Sequence, residues 1–149
     1  MTEDVKVRPM ELSDYDEAYA LWKRTEGMGL RSLDDTREGI ERFLRRNPST
    51  CFVAVGEAGE GVIGVFLCGH DGRRGYVYHA VVAATRRGRG IGRALLSNAL
   101  AALEKEGIKK AALVVFAAND RGNAFWEKTG FTTRPDLVYR NRSLDPRNV

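Results

Sequence analysis

A run of arginines and glycines, Arg87-Gly88-Arg89-Gly90-Ile91-Gly92, is the part of this sequence with the clearest chemical meaning. It follows an apolar stretch with the spacing of a strand and precedes a leucine-rich stretch with the spacing of a helix. Glycines let main-chain N–H groups approach a ligand closely, and a helix start presents unpaired N–H donors to an anion. With guanidinium groups beside them, these donors predict a phosphate-binding turn. The alternative is a solvated basic loop with flexible glycines.

Two common phosphate-binding motifs do not fit this spacing. A dinucleotide fingerprint, G-x-G-x-x-G, needs a glycine where Arg93 stands. A Walker loop needs a lysine followed by serine or threonine, and none occurs at the required place. An arginine–glycine tract that binds RNA would be longer and would not continue into a leucine-periodic helix. The turn therefore favours the phosphate of another cofactor.

A second block of residues follows about one helix and one strand later, and the two blocks together resemble one family. The turn is similar to the R/Q-x-x-G-x-G/A signature of the GCN5-related N-acetyltransferases (GNAT family). The second block, Asn119-Asp120-Arg121-Gly122-Asn123-Ala124-Phe125-Trp126-Glu127-Lys128-Thr129-Gly130-Phe131, is similar to that family's N-x-x-A-x-x-F-Y-x-x-x-G-F. Both motifs stand in the family's order, and the resemblance covers nearly the whole chain.

This resemblance implies acetyl-CoA as co-substrate and assigns residues to it. Main-chain groups at the end of the strand before the turn would hold the pantetheine arm, and the turn would hold the pyrophosphate. Asn119 matches a residue that contacts the pantetheine region in the family, and it can serve as a helix N-cap at the same time. The residues assigned to the cofactor are Val81, Val82, Arg87, Gly88, Arg89, Gly90, Ile91, Gly92, Arg93 and Asn119.

The catalytic groups are less clear, because the chain departs from the family at the tyrosine that protonates the leaving thiolate. Trp126 stands there, and an indole N–H is a donor without useful acidity. Trp126 is then an apolar wall or weak donor beside the sulfur, or a plain core residue. The glutamates of two protein-acetylating subclasses are also missing, since Val114 and Tyr76 stand at their positions.

Three other side chains are candidates for catalysis. His79 is a candidate base because imidazole changes charge near neutral pH, although strand alternation could equally bury it as a core histidine. Glu26 lies in a glycine-rich loop that often lines the acceptor site in this family, and the alternative is a solvated carboxylate. Tyr78 could orient the substrate or pass a proton through water, with core packing as its alternative.

The expected reaction is transfer of an acetyl group from acetyl-CoA to a primary amine of a small molecule or peptide, by direct attack in a ternary complex. The replacement at Trp126 keeps a second function open, that of a non-catalytic acyl-CoA sensor. A nucleic-acid-binding module would rest on the basic cluster alone. No nucleic acid or membrane is therefore expected as a partner, and the family's frequent dimers make a homodimer possible.

These residues need a scaffold, and hydrophobic periodicity predicts an α/β (mixed α+β) fold in one domain over residues 1–149. The resemblance implies a mixed, mostly antiparallel twisted sheet of six or seven strands, flanked by about four helices. The predicted helices are Ser13 to about Lys23, one from about Ser32 with Asp35 at a capping-box position, one from Gly90 to Gly107, and Asn119–Thr129. The predicted strands are Val5–Arg8, Thr50–Val55, Gly61–Gly69, Tyr76–Val82, Lys110–Ala117, Phe131–Thr133 and Leu137–Arg140.

The composition is that of an ordinary globular protein, with 43% hydrophobic and 30% charged residues and a net charge of +4. No apolar run reaches the length of a membrane-spanning helix, and the acidic start Met1–Asp4 has no secretory h-region. Cys51 and Cys68 are expected to be reduced core thiols of a cytoplasmic protein. Two cysteines and two histidines cannot assemble a zinc or iron site, so no metal is expected.

Overall fold

The computed structural model describes residues 5–149, so the acidic start Met1–Asp4 lies outside the described residues. Within that range, five strands form one sheet in the order β1-β2-β3-β4-β5. The first four pair antiparallel and β5 joins β4 in parallel, which confirms the mixed, mostly antiparallel sheet. The strands are β1 (Lys6–Pro9), β2 (Phe52–Val55), β3 (Val62–His70), β4 (Gly75–Val82) and β5 (Ala111–Leu113).

Helices cover both faces of this sheet. They are α1 (Tyr15–Lys23), α2 (Arg37–Arg46), α3 (Ile91–Lys105) and α4 (Asp120–Lys128). Alternate residues of β3 point to opposite faces. A Cβ added to Gly64 would lie 2.9 Å from Leu95 of α3, whereas one added to Gly69 would lie 2.6 Å from Phe43 of α2. α2 therefore covers the face opposite to α3.

The face covered by α3 is closed by a regular apolar stripe. Alternation of leucine and alanine at three- and four-residue spacing predicts this stripe, and the structure buries it. α4 adds aromatic rings to the same layer, because Phe125 and Trp126 both lie against Phe66 of β3. The buried residues of α3 are Ile91, Leu95, Leu96, Ala99 and Leu103.

The predicted start of α2 at Ser32 is wrong. The helix begins at Arg37, and the hydroxyl of Thr36 caps it by accepting a hydrogen bond from the Gly39 N–H at 3.0 Å. Asp35 does not cap this helix, because its side chain turns inward, where one oxygen accepts from the Arg31 N–H at 2.7 Å. The Thr36 hydroxyl thus caps the helix in place of the predicted capping box, and the residues before α2 form a loop.

The C-terminal part of the predicted sheet is also wrong. β5 ends at Leu113 rather than Ala117, and the predicted strands Phe131–Thr133 and Leu137–Arg140 do not pair. An edge of three residues offers few main-chain partners to a further strand. The tail instead contacts the loop before α2, where the Ser32 N–H donates to the Val149 carbonyl at 2.8 Å. The sheet therefore has fewer strands than the six or seven predicted.

Both cysteines are buried thiols, as the composition predicts. Cys51 donates through Sγ to the main-chain carbonyl of Cys68 at 3.0 Å. Burial raises the pKa of each thiol to about 12. The thiolate fraction at pH 8 is then about three orders of magnitude below that of a free cysteine.

We therefore expect native protein to resist an aromatic disulfide reagent at pH 8, and urea-unfolded protein to release two equivalents of dye at once. Absorbance of the released thiol measures both reactions. Fast labelling of folded protein would contradict this account of the two thiols, and circular dichroism under the same conditions would show whether the fold had been kept.

Candidate functional site

The sheet opens between β4 and β5. The two strands pair over Gly75↔Ala111, Tyr76↔Ala112 and Val77↔Leu113 only. β4 continues to Val82, whereas the chain after Leu113 leaves the sheet. The edge of β4 over residues 78–82 therefore has no strand partner on this side within the described chain, and those of its main-chain groups that do not bond to β3 face the opening.

A bulge in β4 lies where the strands part. Phe66 pairs with Ala80 and Cys68 with Val77, so β4 has one residue more than β3 in this interval. A bulge redirects neighbouring side chains. Here it turns Tyr78 and His79 to the same face of the sheet. Tyr78 packs edge-on against Phe43 of α2 with ring centroids 5.5 Å apart, and His79 packs against Trp22 of α1 at 5.0 Å.

The glycine turn joins the end of β4 to α3, as predicted. Gly88 and Gly90 have φ angles of 77° and 82°, a region that favours glycine. The first hydrogen bond of the helix runs from the Ala94 N–H to the Gly90 carbonyl at 3.1 Å. The N–H groups of residues 91–93 consequently have no acceptor among residues 5–149. They are the donors that a phosphate group would use.

Gly92 has a different reason to be glycine. A Cβ added there would lie 3.2 Å from the ring of Phe125 in α4, closer than most such contacts. Its small size therefore allows α4 to pack against the start of α3. The sequence predicts one role for Gly88, Gly90 and Gly92, which is to let the main chain approach a phosphate. In the structure Gly88 and Gly90 have positive φ angles in the turn, whereas Gly92 leaves room for the ring of Phe125.

The arginines around the turn have different environments. Arg87 donates from Nε to the Val82 carbonyl at 3.1 Å, and burial together with the charge of Arg121 lowers the pKa of its guanidinium. Arg89 and Arg93 are exposed. Arg86 is buried and pairs with Glu60, which gives it a structural role. The charge of Arg121 thus acts on Arg87, and positive charge from two guanidinium groups favours a bound anion.

Sequence reasoning did not assign Arg121 to the site, although it lies two residues after Asn119 in the second motif. Asn119 caps α4, since its Oδ1 accepts from the Gly122 N–H at 2.9 Å. A Cβ at Gly122 would lie 2.6 Å from the Asn119 amide, which accounts for glycine where the family pattern has alanine. Arg121 stands two residues after this cap, in the first turn of α4.

His79 is held by a carboxylate. Its Nε2 lies 2.7 Å from Oδ1 of Asp35, and the two side chains are 13% and 6% exposed. Asp35 is fixed in turn, because its other oxygen accepts from the Arg31 N–H and its main-chain carbonyl accepts from the Tyr15 hydroxyl at 2.6 Å. An imidazole oriented by a buried carboxylate is the arrangement of a positioned general base.

Trp22 closes the inner side of this pair. Its ring is fully buried against the imidazole of His79, and its Nε1 has no hydrogen-bond partner within the described chain. An indole N–H without a partner in the core is costly.

The remaining candidates occupy separate places. Tyr78 is 52% exposed, and burial, followed by the nearby Tyr139 and Asp34, raises the pKa of its phenol, which keeps the proton. Glu26 lies exposed in the turn after α1, and among the described residues no hydrogen bond or ion pair joins it to the others. Trp126 is buried in a cluster with Phe125 and other rings of the α4 layer.

No metal centre accompanies this arrangement in the part of the chain that the structure describes. Residues 5–149 contain no group of three or more histidine, cysteine, aspartate or glutamate side chains placed to hold a metal ion. Over the same residues, none of the helices has the length and apolar character needed to cross a membrane.

Comparisons with known proteins agree with this geometry. The model of the acetyltransferase (GNAT) family matches residues 14–131. An acetyltransferase of Sodalis glossinidius is 33% identical over 140 residues, which cover 94% of this chain and 96% of that protein.

Two solved structures show the same fold. Ard1 from Thermoplasma volcanium has a TM-score of 0.75 at 19% identity, with 87% of this chain and 83% of that chain covered. The NatC complex bound to Gag peptide and CoA has a TM-score of 0.72 at 20% identity, with 87% and 85% covered. The chain therefore belongs to the GNAT family of acetyltransferases and uses acetyl-CoA as its co-substrate.

Proposed function

We propose that this enzyme acetylates a primary amine by direct attack of the amine on acetyl-CoA in a ternary complex. The observation that carries the proposal is the position of the His79–Asp35 pair beside the opened edge of β4. That edge leads directly into the phosphate-binding turn. The N–H donors for an anion thus follow one end of this strand segment, and the candidate base lies at its other end.

The residues present fit the chemistry of coenzyme A. Main-chain groups of Val82 would pair with the amide groups of the pantetheine arm, as a neighbouring strand does, whereas Val81 pairs with Val65 of β3. The free N–H groups of residues 91–93, with the side chains of Arg87, Arg89 and Arg93, would hold the pyrophosphate. We add Arg121 to this set and keep Asn119 as the cap that positions it.

The transfer forms an N–C bond to the acceptor and breaks the C–S bond of the thioester. In this proposal His79 accepts the proton that the amine loses, and Asp35 stabilises the charged imidazole. The departing thiolate takes its proton from the phenol of Tyr78 or from water. Glu26 lines the approach of the acceptor. Positioning of the amine against the thioester supplies much of the rate.

In this proposal Trp126 is a packing residue and an apolar wall rather than a proton donor, and two substitutions distinguish these roles. Trp126→Ala should lower the free energy of unfolding by about 3–5 kcal/mol, because it removes a large buried ring. Trp126→Phe should retain acetyl transfer within about threefold, because neither indole nor phenyl is a useful proton donor. Urea unfolding and thiol release measure the two effects. A Trp126→Phe variant with native stability and no turnover would show that the indole N–H takes part in catalysis.

The assembly and cellular setting are part of the proposal. We expect a cytoplasmic protein that binds neither nucleic acid nor membrane, with the homodimer that is frequent in the family as one of its possible assemblies. Sedimentation velocity would give the oligomeric state, and gel shifts at low and moderate salt would detect any nucleic-acid binding.

The proposed function is tested in two steps. Calorimetric titration with acetyl-CoA should show one site per chain. Release of free thiol should then depend on an added amine, in a panel of alkyl amines, amino acids and peptides. Absence of acetyl-CoA binding would overturn the cofactor site. Binding without amine-dependent thiol release would overturn the transfer reaction.

A further inference from the structure

A compact turn, residues 145–149, lies against the loop that precedes α2. The carboxylate of Asp145 shapes this turn, because it accepts from the main-chain N–H of Arg147 at 3.0 Å and from its guanidinium at 2.7 Å. Ser32 holds the turn from the side of the loop. Its hydroxyl donates to the Arg147 carbonyl and accepts from the Val149 N–H at 3.0 Å. The 145–149 turn therefore has a defined shape and a defined place on the loop.

Asn148 makes the central contact between the turn and the loop. Its Oδ1 accepts from two consecutive main-chain N–H groups, that of Leu33 at 3.0 Å and that of Asp34 at 3.1 Å. Its Nδ2 donates to Oδ2 of Asp34 at 2.8 Å. The two ends of the amide thus meet opposite demands, an acceptor toward the main chain and a donor toward the carboxylate. Asparagine satisfies both demands, whereas aspartate would satisfy only the first.

The loop that Asn148 holds is the loop that carries Asp35. Arg31 and Asp35 close it, since the Arg31 N–H donates to Oδ2 of Asp35 at 2.7 Å and the Asp35 N–H donates to the Arg31 carbonyl at 3.2 Å. The other carboxylate oxygen, Oδ1, lies 2.7 Å from Nε2 of His79. Residues 32–34 belong to no helix or strand, so hydrogen bonds to the 145–149 turn hold the outer side of the loop. A displacement of the loop would therefore move the carboxylate that orients the imidazole.

We infer that Asn148 is a positioning residue for acetyl transfer, which sets the orientation of His79 through residues 32–34 and Asp35. The inference rests on the proposed function, in which His79 is the base. Each hydrogen bond between the turn and the loop is weak alone, but several bonds to one loop act together. A small displacement of a catalytic group is enough to lower the rate, because proton transfer needs hydrogen-bond geometry. Loss of kcat in a folded protein is therefore the expected signature.

Asn148→Asp tests the link, because it keeps an acceptor for the two N–H groups and turns a carboxylate oxygen toward Asp34. It should lower kcat about 10-fold and leave the Kd of acetyl-CoA within about twofold of the native value. Asp34→Asn/Asn148→Asp exchanges donor and acceptor between the two side chains, so kcat should recover to within about threefold. Asn141→Asp makes the same change at an exposed amide and is the matched control, which should retain the native kcat. Thiol release and calorimetric titration measure these effects.

Proton NMR of the imidazole rings gives a readout that does not depend on turnover. The chain has two histidines, and His79→Ala identifies the ring signals of His79 by their absence. Asn148→Asp should shift these signals and leave those of His70 in place. In Asp34→Asn/Asn148→Asp the signals of His79 should return to their native positions.

Ring signals of His79 that stay unchanged in Asn148→Asp would overturn the inference. So would a loss of kcat that the double variant does not reverse, once circular dichroism has shown that both variants are folded. Failure of the proposed function looks different: the ring signals would move and recover as expected, yet His79→Ala would keep the native kcat or no thiol would be released from acetyl-CoA. That result would reject His79 as the base and leave its orientation by Asn148 standing.

Discussion

Replacing Arg87 and Arg89 together by alanine should raise the Kd of acetyl-CoA by about 100-fold. Each charge-assisted hydrogen bond to a phosphate contributes about 1.5–3 kcal/mol, and both arginines flank the free N–H groups at the start of α3. Arg87 should contribute more, because it is partly buried and Arg89 is exposed. Calorimetric titration at fixed ionic strength measures the change.

A matched control separates a local effect from the loss of two positive charges. Arg73→Ala/Arg74→Ala removes the same net charge from the exposed turn between β3 and β4. Its Kd for acetyl-CoA should stay within about threefold of the native value, since exposed charges beyond a Debye length are screened. Equal losses in the two double variants would mean that the turn binds through general electrostatics.

Arg121→Ala should weaken binding of acetyl-CoA about 5- to 10-fold, as expected for one charged contact.

Removing the His79 imidazole should lower kcat by about 100-fold or more, the usual contribution of a positioned general base. Asp35→Asn should lower kcat less, because it keeps the histidine but takes away the carboxylate that orients it at 2.7 Å. Initial rates of thiol release between pH 5 and 9 measure both variants.

His70 provides the control for this experiment. It is the other histidine of the two in the sequence, and it lies at the end of β3, where Nε2 is 3.4 Å from Oε1 of Glu106. His70→Ala should retain kcat. If His79→Ala lowered the thermal stability but kept the native kcat, His79 would be a structural residue and not the base.

The local features of the site could be predicted from the sequence, because their causes are local. The glycine turn, the strand before it and the leucine stripe of α3 all follow from residues close together in the chain. The His79–Asp35 pair could not be predicted, because its members are 44 residues apart. The local sequence places Asp35 at a capping-box position of α2. In the structure Thr36 caps that helix, and the side chain of Asp35 contacts His79 instead.

The bulge was equally hidden, since strand alternation assigns Tyr78 and His79 to opposite faces. Only the pairing with β3 shows the additional residue. At the C-terminal end, alternating apolar residues predicted strands that the short β5 does not pair with. Arg121 could not be assigned for another reason: it stands at a variable position of the second motif, and only the effect of its charge on Arg87 in the folded chain links it to the turn.

An open strand edge carries a hazard, because it can pair with the edge of another molecule and begin aggregation. β4 presents such an edge from Tyr78 to Val82. Arg87 places a guanidinium on the last carbonyl of that edge, at 3.1 Å, and a charged side chain there discourages a second strand. We therefore expect Arg87 also to discourage pairing between molecules along this edge.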